Sequence, residues 1–270
     1  MAAVSFTPLV ITALALIPFL MICRLLGCHA AVSLAGAVTL ALAPAFLKRS
    51  AFGWYDNDPY SVLFPLIILA AVFFGLARKD SPRHLVRSAV LSLLSVTLYA
   101  LFWHGWMFTA SMIFIPGFLI VLMETLTGGP RKPSAARHLL LFYGLTAAGI
   151  IAGITLLFGA GAFPVLFREG WTAINDFFKP QPAFWPNLYI GVGELHKSTP
   201  GELIAMSGGL FVFVFAGIGL IGHGVSFLRG RRRERLYPFI MIAVFWLAAL
   251  GLAVQAKRFT LLSLVPLSLM

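Results

Sequence analysis

The feature that most constrains this chain is a series of apolar stretches, each about 20 residues long. An α-helix needs about 20 mostly apolar residues to cross the hydrocarbon core of a bilayer. Hydrophobic residues make up 60% of the 270 residues and charged residues only 11%, which excludes an ordinary soluble domain. The sequence therefore predicts an all-α, polytopic transmembrane helix bundle, forming a single transmembrane domain over residues 1–270. The predicted spans are 4–22, 28–47, 60–77, 88–103, 107–126, 139–158, 208–228 and 238–256, with a partial ninth from about Phe259.

The breaks between the apolar stretches differ in charge, and the difference predicts the topology. Most lysines and arginines fall in alternate breaks, at Arg24, 78–87, 131–137 and 229–235. The positive-inside rule places these breaks in the cytoplasm. The net charge of +11 is then mainly a topological signal and a contact with anionic lipid, and nucleic acid is not expected as a partner.

The remaining breaks are predicted to lie on the external side, and they hold most of the acidic residues. The external acidic residues are Asp56, Asp58, Glu169, Asp176, Glu194 and Glu202. One external loop covers 48–59. A second, much longer loop covers 159–207 and contains many aromatic residues, which disordered segments lack. We expect this long loop to be a partly ordered, partly mobile flap on the membrane surface.

The first candidate for chemistry is the pair Asp56 and Asp58 in the external loop 48–59. Two carboxylates this close in an extended turn can both face one hard divalent cation. The same spacing also fits a solvated turn with a cap before Pro59, so the residues alone leave both interpretations open.

Two further candidates lie far along the chain from this pair. Glu194 follows Gly191-Val192-Gly193 near the end of the long loop, and His196 follows it; a lone loop residue of either type is ordinarily just exposed. Lys257-Arg258-Phe259 opens the last apolar stretch, where a snorkelling anchor is the alternative. The predicted topology nevertheless places all these groups at the same face of the membrane.

Three motifs together resemble the catalytic subunits of oligosaccharyltransferases, the membrane-embedded enzymes of asparagine-linked glycosylation. Arg49-x-x-x-Gly53-aromatic-Tyr55-Asp56-x-Asp58 looks like the second acidic motif of that family. Residues 191–194 are similar to its Ser-Val-Ser-Glu or Thr-Ile-x-Glu element, and 257–260 resemble its Arg-Phe at the start of a later span. The turn 103–106 sits where the family has a Trp-rich or Gly-rich turn.

The resemblance implies a function and a site. It implies metal-dependent, inverting transfer of an oligosaccharide from a polyprenyl-pyrophosphate lipid to asparagine side chains of an acceptor polypeptide. Mg²⁺ or Mn²⁺ would be held by Asp56, Asp58 and Glu194, while Arg49 supports the acidic pair or contacts substrate. Arg258, Trp103 and His104 would bind substrate, with Arg258 on the pyrophosphate. The site would lie on the periplasmic or external side of a bacterial-type inner membrane.

Compared with the family, the chain looks like a fragment. It lacks the first spans, with an external loop that carries another metal-binding Asp, and it lacks the last spans and the globular domain with a Trp-Trp-Asp motif. Two other functions stay open: a polyprenyl-phosphate-sugar glycosyltransferase acting on lipid or glycan, and a transporter or flippase. Transporters usually place ionisable groups near the bilayer midplane, whereas the lone candidate here, Glu124, is expected near the cytoplasmic end of its span.

Overall fold

The computed structural model describes residues 2–51, 58–78, 81–103, 105–126, 133–165, 168, 172, 197–228 and 236–270. Within these ranges the chain is helical. The helices are α1 (Ala2–Leu26), α2 (Ala30–Leu42), α3 (Pro44–Arg49), α4 (Tyr60–Ala77), α5 (Pro82–Phe102), α6 (Trp106–Leu126), α7 (Pro133–Phe158), α8 (Pro200–Met206), α9 (Leu210–Leu228), α10 (Leu236–Gln255) and α11 (Thr260–Leu267). A 3₁₀ turn, Lys257–Phe259, joins α10 to α11.

Six of the described helices are long and apolar enough to cross a membrane. If α8 and α9 are counted together as one bent span, the described residues contain up to seven spans. This confirms the predicted polytopic helical bundle and makes the chain an integral, multi-pass membrane protein. The stretch predicted as one span over 28–47 is divided into α2 and α3, because Pro44 cannot continue a helix from Ala43 and instead starts the next one.

Helix α4 lies at the centre of the bundle. Its sequence is apolar on every side, and Leu66, Ile68 and Leu69, which point in different directions around the helix, are all fully buried. A helix without a polar face is buried on all sides, and α4 accordingly packs against α1, α5 and α11. All eight residues of α11 are buried as well, so α11 and α4 belong to the same core, from which the residues of the site extend.

Small residues allow the neighbouring helices to approach closely. At the α4–α5 contact, the Ser88 hydroxyl donates to the Ala71 carbonyl, and a Cβ added at Gly75 would lie 2.7 Å from Ser88 Oγ. At the α5–α7 contact, Gly149 and Gly153 form a Gly-x-x-x-Gly pattern, and a Cβ at Gly153 would lie 2.5 Å from Thr97 Oγ1. Helix association in membranes depends on such small residues.

Helices α8 and α9 meet at an angle of 88°. Gly208 and Gly209, between them, have φ values of +108° and +96°, a conformation that side-chain-bearing residues rarely adopt. The bend turns the short helix α8 across the end of the bundle, where it contacts α3 and α10. This places α8 beside the predicted site residues.

Candidate functional site

Arg49 is the last residue of α3 and is 6% exposed. Its cationic side chain at a helix C-terminus interacts favourably with the helix dipole. The guanidinium donates a hydrogen bond from Nη1 to Oδ2 of Asp58. Arg49 and Asp58, which are nine residues apart in the chain, are thus joined by a buried ion pair.

Asp58 stands directly before Pro59, the N-cap residue of α4, and it is 2% exposed. Its backbone carbonyl accepts the Ser61 amide at 2.9 Å, which fixes the start of α4. Its two carboxylate oxygens face two cations: Oδ2 faces Arg49, and Oδ1 lies 3.5 Å from Nη2 of Arg258. A buried carboxylate needs such partners, since an uncompensated charge is costly away from water.

Arg258 is held in the 3₁₀ turn between α10 and α11, and its side chain is 33% exposed. The next residue, Phe259, is buried, with its ring centroid 6.1 Å from that of Trp103 and 6.5 Å from that of Phe108. The aromatic contacts anchor the turn, while part of the guanidinium stays accessible. A guanidinium presented in this way suits phosphate oxygens.

Trp103 is the C-cap residue that follows α5, and it is half-buried. Its ring lies between those of Tyr99, at 5.6 Å, and Phe259, at 6.1 Å. The structure therefore brings Trp103 against the turn that carries Arg258. Its contacts support that turn, and its proposed contact with substrate stays a prediction.

Asp56, His104 and Glu194 lie outside the described residues, as does the neighbouring His196. Their roles in the predicted site therefore stay predictions. The first described residues after this part of the loop are tied to α10, where the amide of Ser198 donates to the carbonyl of Val254 at 3.0 Å.

Sequence reasoning missed an ion pair beside the site. Lys257 Nζ donates to Oε1 of Glu202 at 2.5 Å, linking the Arg258 turn to α8. The hydrogen bond from Lys257, together with the backbone amide of Thr199, lowers the pKa of Glu202 to about 2. The sequence contained a signal for α8: Thr199-Pro200-Gly201-Glu202 has the spacing of a capping box with proline in the first turn.

Asp58 is the one predicted metal ligand that the structure describes, and its carboxylate faces two guanidinium groups. Among the described residues, no group of three or more His, Cys, Asp or Glu side chains could hold a metal ion. The role of Asp58 in or beside a metal shell stays a prediction. Asp56 and Glu194 have carboxylates of the type that Mg²⁺ and Mn²⁺ prefer, and their assignment as metal ligands stays a prediction.

A family model described as the N-terminal part of oligosaccharyl transferase STT3 matches residues 1–270. The chain belongs to this family. In a comparison with curated proteins, no sequence matches the chain at a significant level.

Solved structures of archaeal oligosaccharyltransferases share the fold of this chain. The oligosaccharyltransferase of Archaeoglobus fulgidus in its apo form has a TM-score of 0.62 and 17% identity. The archaeal oligosaccharyltransferase AglB from Archaeoglobus fulgidus, in complex with an inhibitory peptide and a dolichol-phosphate, has a TM-score of 0.62 and 18% identity. Each match covers 99% of this chain and 39% of that one. A third structure, tethered to an acceptor peptide that contains the NVT sequon, has a TM-score of 0.63 at 17% identity and covers 99% and 38%.

This chain thus spans about two fifths of the length of the AglB structures it matches. At 17–18% identity the likeness shows the fold. Membership of the STT3 family rests on the family model, which covers the whole chain.

Proposed function

We propose that the protein transfers an oligosaccharide from a polyprenyl-pyrophosphate lipid to asparagine side chains of acceptor polypeptides, with a divalent metal and inversion at the anomeric carbon. The observation that carries the proposal is the arrangement of Arg49, Asp58 and Arg258 at one end of the bundle in a chain of the STT3 family. One cation of this cluster, Arg258, is partly open to a ligand.

The proposed role of Arg258 is to bind the pyrophosphate of the donor. Bidentate hydrogen bonding and a permanent charge make arginine well suited to phosphate oxygens. Asp58 holds the guanidinium from one side, and the anchored turn holds its backbone. The guanidinium would then stabilise negative charge as it develops on the departing pyrophosphate.

The reaction requires precise positioning of donor and acceptor, because the acceptor group is the side-chain amide of asparagine. An amide nitrogen is a poor nucleophile because its lone pair is delocalised, and full loss of that conjugation costs about 18–20 kcal/mol. Two hydrogen bonds to carboxylates contribute only about 1.5–3 kcal/mol each. Positioning, which supplies about 7–11 kcal/mol in favourable cases, and activation of the leaving group must provide the remainder.

The proposed roles of Asp56 and Glu194 are to hold the metal and to bind the acceptor amide. Asp58, in or beside this shell, pairs with Arg49 and contacts Arg258 more loosely. A bound Mg²⁺ or Mn²⁺ would neutralise charge on the leaving pyrophosphate. An AglB structure solved with zinc and sulfate, at a TM-score of 0.56 and 17% identity over 99% of this chain and 36% of that one, supports a divalent-cation site in this fold.

The donor and acceptor classes are supported by what has been seen bound to the archaeal relative. Its structures include a complex with a dolichol-phosphate and an inhibitory peptide, and one tethered to an acceptor peptide. We further propose that the site faces the non-cytoplasmic side of a bacterial-type inner membrane. The basic breaks at the other ends of the helices support this orientation.

The proposal is tested by product analysis. Purified protein in nanodiscs is incubated with a polyprenyl-pyrophosphate oligosaccharide, a fluorescent Asn-x-Thr peptide and Mn²⁺. We expect a glycopeptide with an N-linkage of inverted anomeric configuration, and its loss when the metal is chelated. Label that enters a lipid or glycan but never the peptide would favour a different glycosyltransferase, and donor that crosses the bilayer unreacted would favour a flippase.

A further inference from the structure

The turn that carries Arg258 is held on both sides by its neighbours. On one side, Phe259 is buried between the rings of Trp103 and Phe108. On the other side, Lys257 forms an ion pair with Glu202 on α8. Arg258 is thus the middle residue of a three-residue turn whose two outer side chains are both engaged.

Glu202 joins two parts of the structure through its two carboxylate oxygens. Its Oε2 accepts the backbone amide of Thr199 at 2.9 Å and the Thr199 hydroxyl at 3.1 Å, which caps α8. Its Oε1 accepts Lys257 Nζ at 2.5 Å. The backbone hydrogen bond from Ser198 to Val254 ties the same two segments together. Two separate links therefore fasten the start of α8 to the end of α10.

Arg258 depends on this support because its own contact with Asp58 is loose. The distance from Nη2 to Oδ1 is 3.5 Å, longer than the 2.7–2.9 Å typical of charge-assisted hydrogen bonds. A long side chain held by one loose contact keeps much of its rotational freedom unless its backbone is fixed. The orientation of the guanidinium is then set largely by the turn.

We propose that Lys257 and Glu202 are positioning residues, which fix the 3₁₀ turn so that Arg258 presents its guanidinium to the phosphates of a polyprenyl-pyrophosphate ligand. The inference rests on the proposed function of Arg258. In this role Lys257 acts through Glu202, to which its ammonium group donates a hydrogen bond, and not through the ligand.

The alternative is that Lys257 binds phosphate directly, and the two roles predict opposite effects of Glu202→Gln. If Glu202 restrains a phosphate-binding lysine, removing its charge frees Lys257 and strengthens ligand binding. If the pair positions Arg258, the same substitution loosens the turn and weakens binding. The glutamine keeps an oxygen that can cap α8, so the helix itself is largely spared.

The first experiment measures the Kd of farnesyl pyrophosphate for the protein in nanodiscs. Lys257→Met and Glu202→Gln should each raise Kd by about two- to fivefold, the range that loss of an exposed ion pair produces. Neither substitution should have a further effect when combined with Arg258→Gln. Lys197→Met, which removes one exposed positive charge near Thr199, is the matched control and should leave Kd within error. Tighter binding by Glu202→Gln, or additive losses with Arg258→Gln, would overturn the proposal.

The second experiment needs no ligand and separates this inference from the proposed function. Hydrogen exchange of residues 198–203 and 256–260 should be faster in Lys257→Met and in Glu202→Gln, and unchanged in Lys197→Met. Unchanged exchange in the first two variants would refute the positioning role. If exchange changes but Arg258→Gln does not affect Kd, the pair holds the turn while the proposed donor site is wrong.

Discussion

Replacement of Asp58 by alanine should destabilise the bundle more than any single change at an exposed charge. Asp58 is 2% exposed and Arg49 6%, and the two form an ion pair away from water. Removing one partner of a buried pair costs about 3–5 kcal/mol, because the other charge stays desolvated. Arg258 is one-third exposed and regains water, so its loss of Asp58 adds little. We therefore expect a loss of about 3 kcal/mol.

The assay is equilibrium unfolding in mixed micelles, followed by circular dichroism as the denaturing detergent is increased. Lys48→Ala is the control, since Lys48 is exposed one residue before Arg49, and it should change the free energy of unfolding by less than about 0.5 kcal/mol. Adding Arg49→Met to Asp58→Ala should recover part of the loss, because the buried charge is then gone. A loss below about 1 kcal/mol for Asp58→Ala would refute the interpretation of a buried, structurally important pair.

Two further predictions concern helix packing and protonation. Gly153→Ala should lower the free energy of unfolding by about 1–3 kcal/mol, because the added methyl group meets Thr97. Gly144→Ala is the control and should not destabilise the protein, because there is open space around Gly144. Equal effects of the two substitutions in the same detergent titration would contradict the close α5–α7 contact. The Glu202 carboxyl should titrate at about 2 by carbon NMR and move up towards 4.5 in Lys257→Met. Since the pKa of Glu202 is lowered in the folded protein, the stabilisation of the fold by the ionised Glu202 carboxylate is complete above pH 4.5 and is lost as the pH falls towards 2. If the Glu202 titration in Lys257→Met is the same as in the unsubstituted protein, Lys257 is not the cause of the lowered pKa.

The membrane bundle could be predicted from the sequence because its signal is local. Apolar runs of about 20 residues mark spans whatever their neighbours are. Helices α4 and α6 lie at the predicted ranges, while α5 and α7 begin earlier than predicted, at Pro82 and Pro133. The division at Pro44 and the bend at Gly208–Gly209 were not predicted, although proline and glycine mark both places. A break within an apolar run is weak evidence until the packing around it is known.

For the candidate site, the sequence could predict which residues lie at the same end of the bundle, because the order of the spans determines this. Alternate breaks must lie at one end of the bundle, and Arg49, Asp58, Trp103 and Arg258 do meet there. The resemblance implied that Arg49 supports the acidic pair, and Arg49 is paired with Asp58 in the structure. The contact of Asp58 with Arg258 was not predicted. Glu202 and Lys257 are 55 residues apart, a pairing that no local pattern reveals.

If residues far apart in the chain form one site for transfer to asparagine, the proposed acceptor-binding carboxylate of Glu194 is required for the reaction. The measurement is the initial rate of glycopeptide formation by Glu194→Gln, with Glu169→Gln, from the same long loop, as the control. We expect Glu194→Gln to lower the rate by about a hundredfold or more, and Glu169→Gln to stay close to the unsubstituted protein. A Glu194→Gln protein that glycosylates the peptide at an undiminished rate would show that these residues do not form such a site.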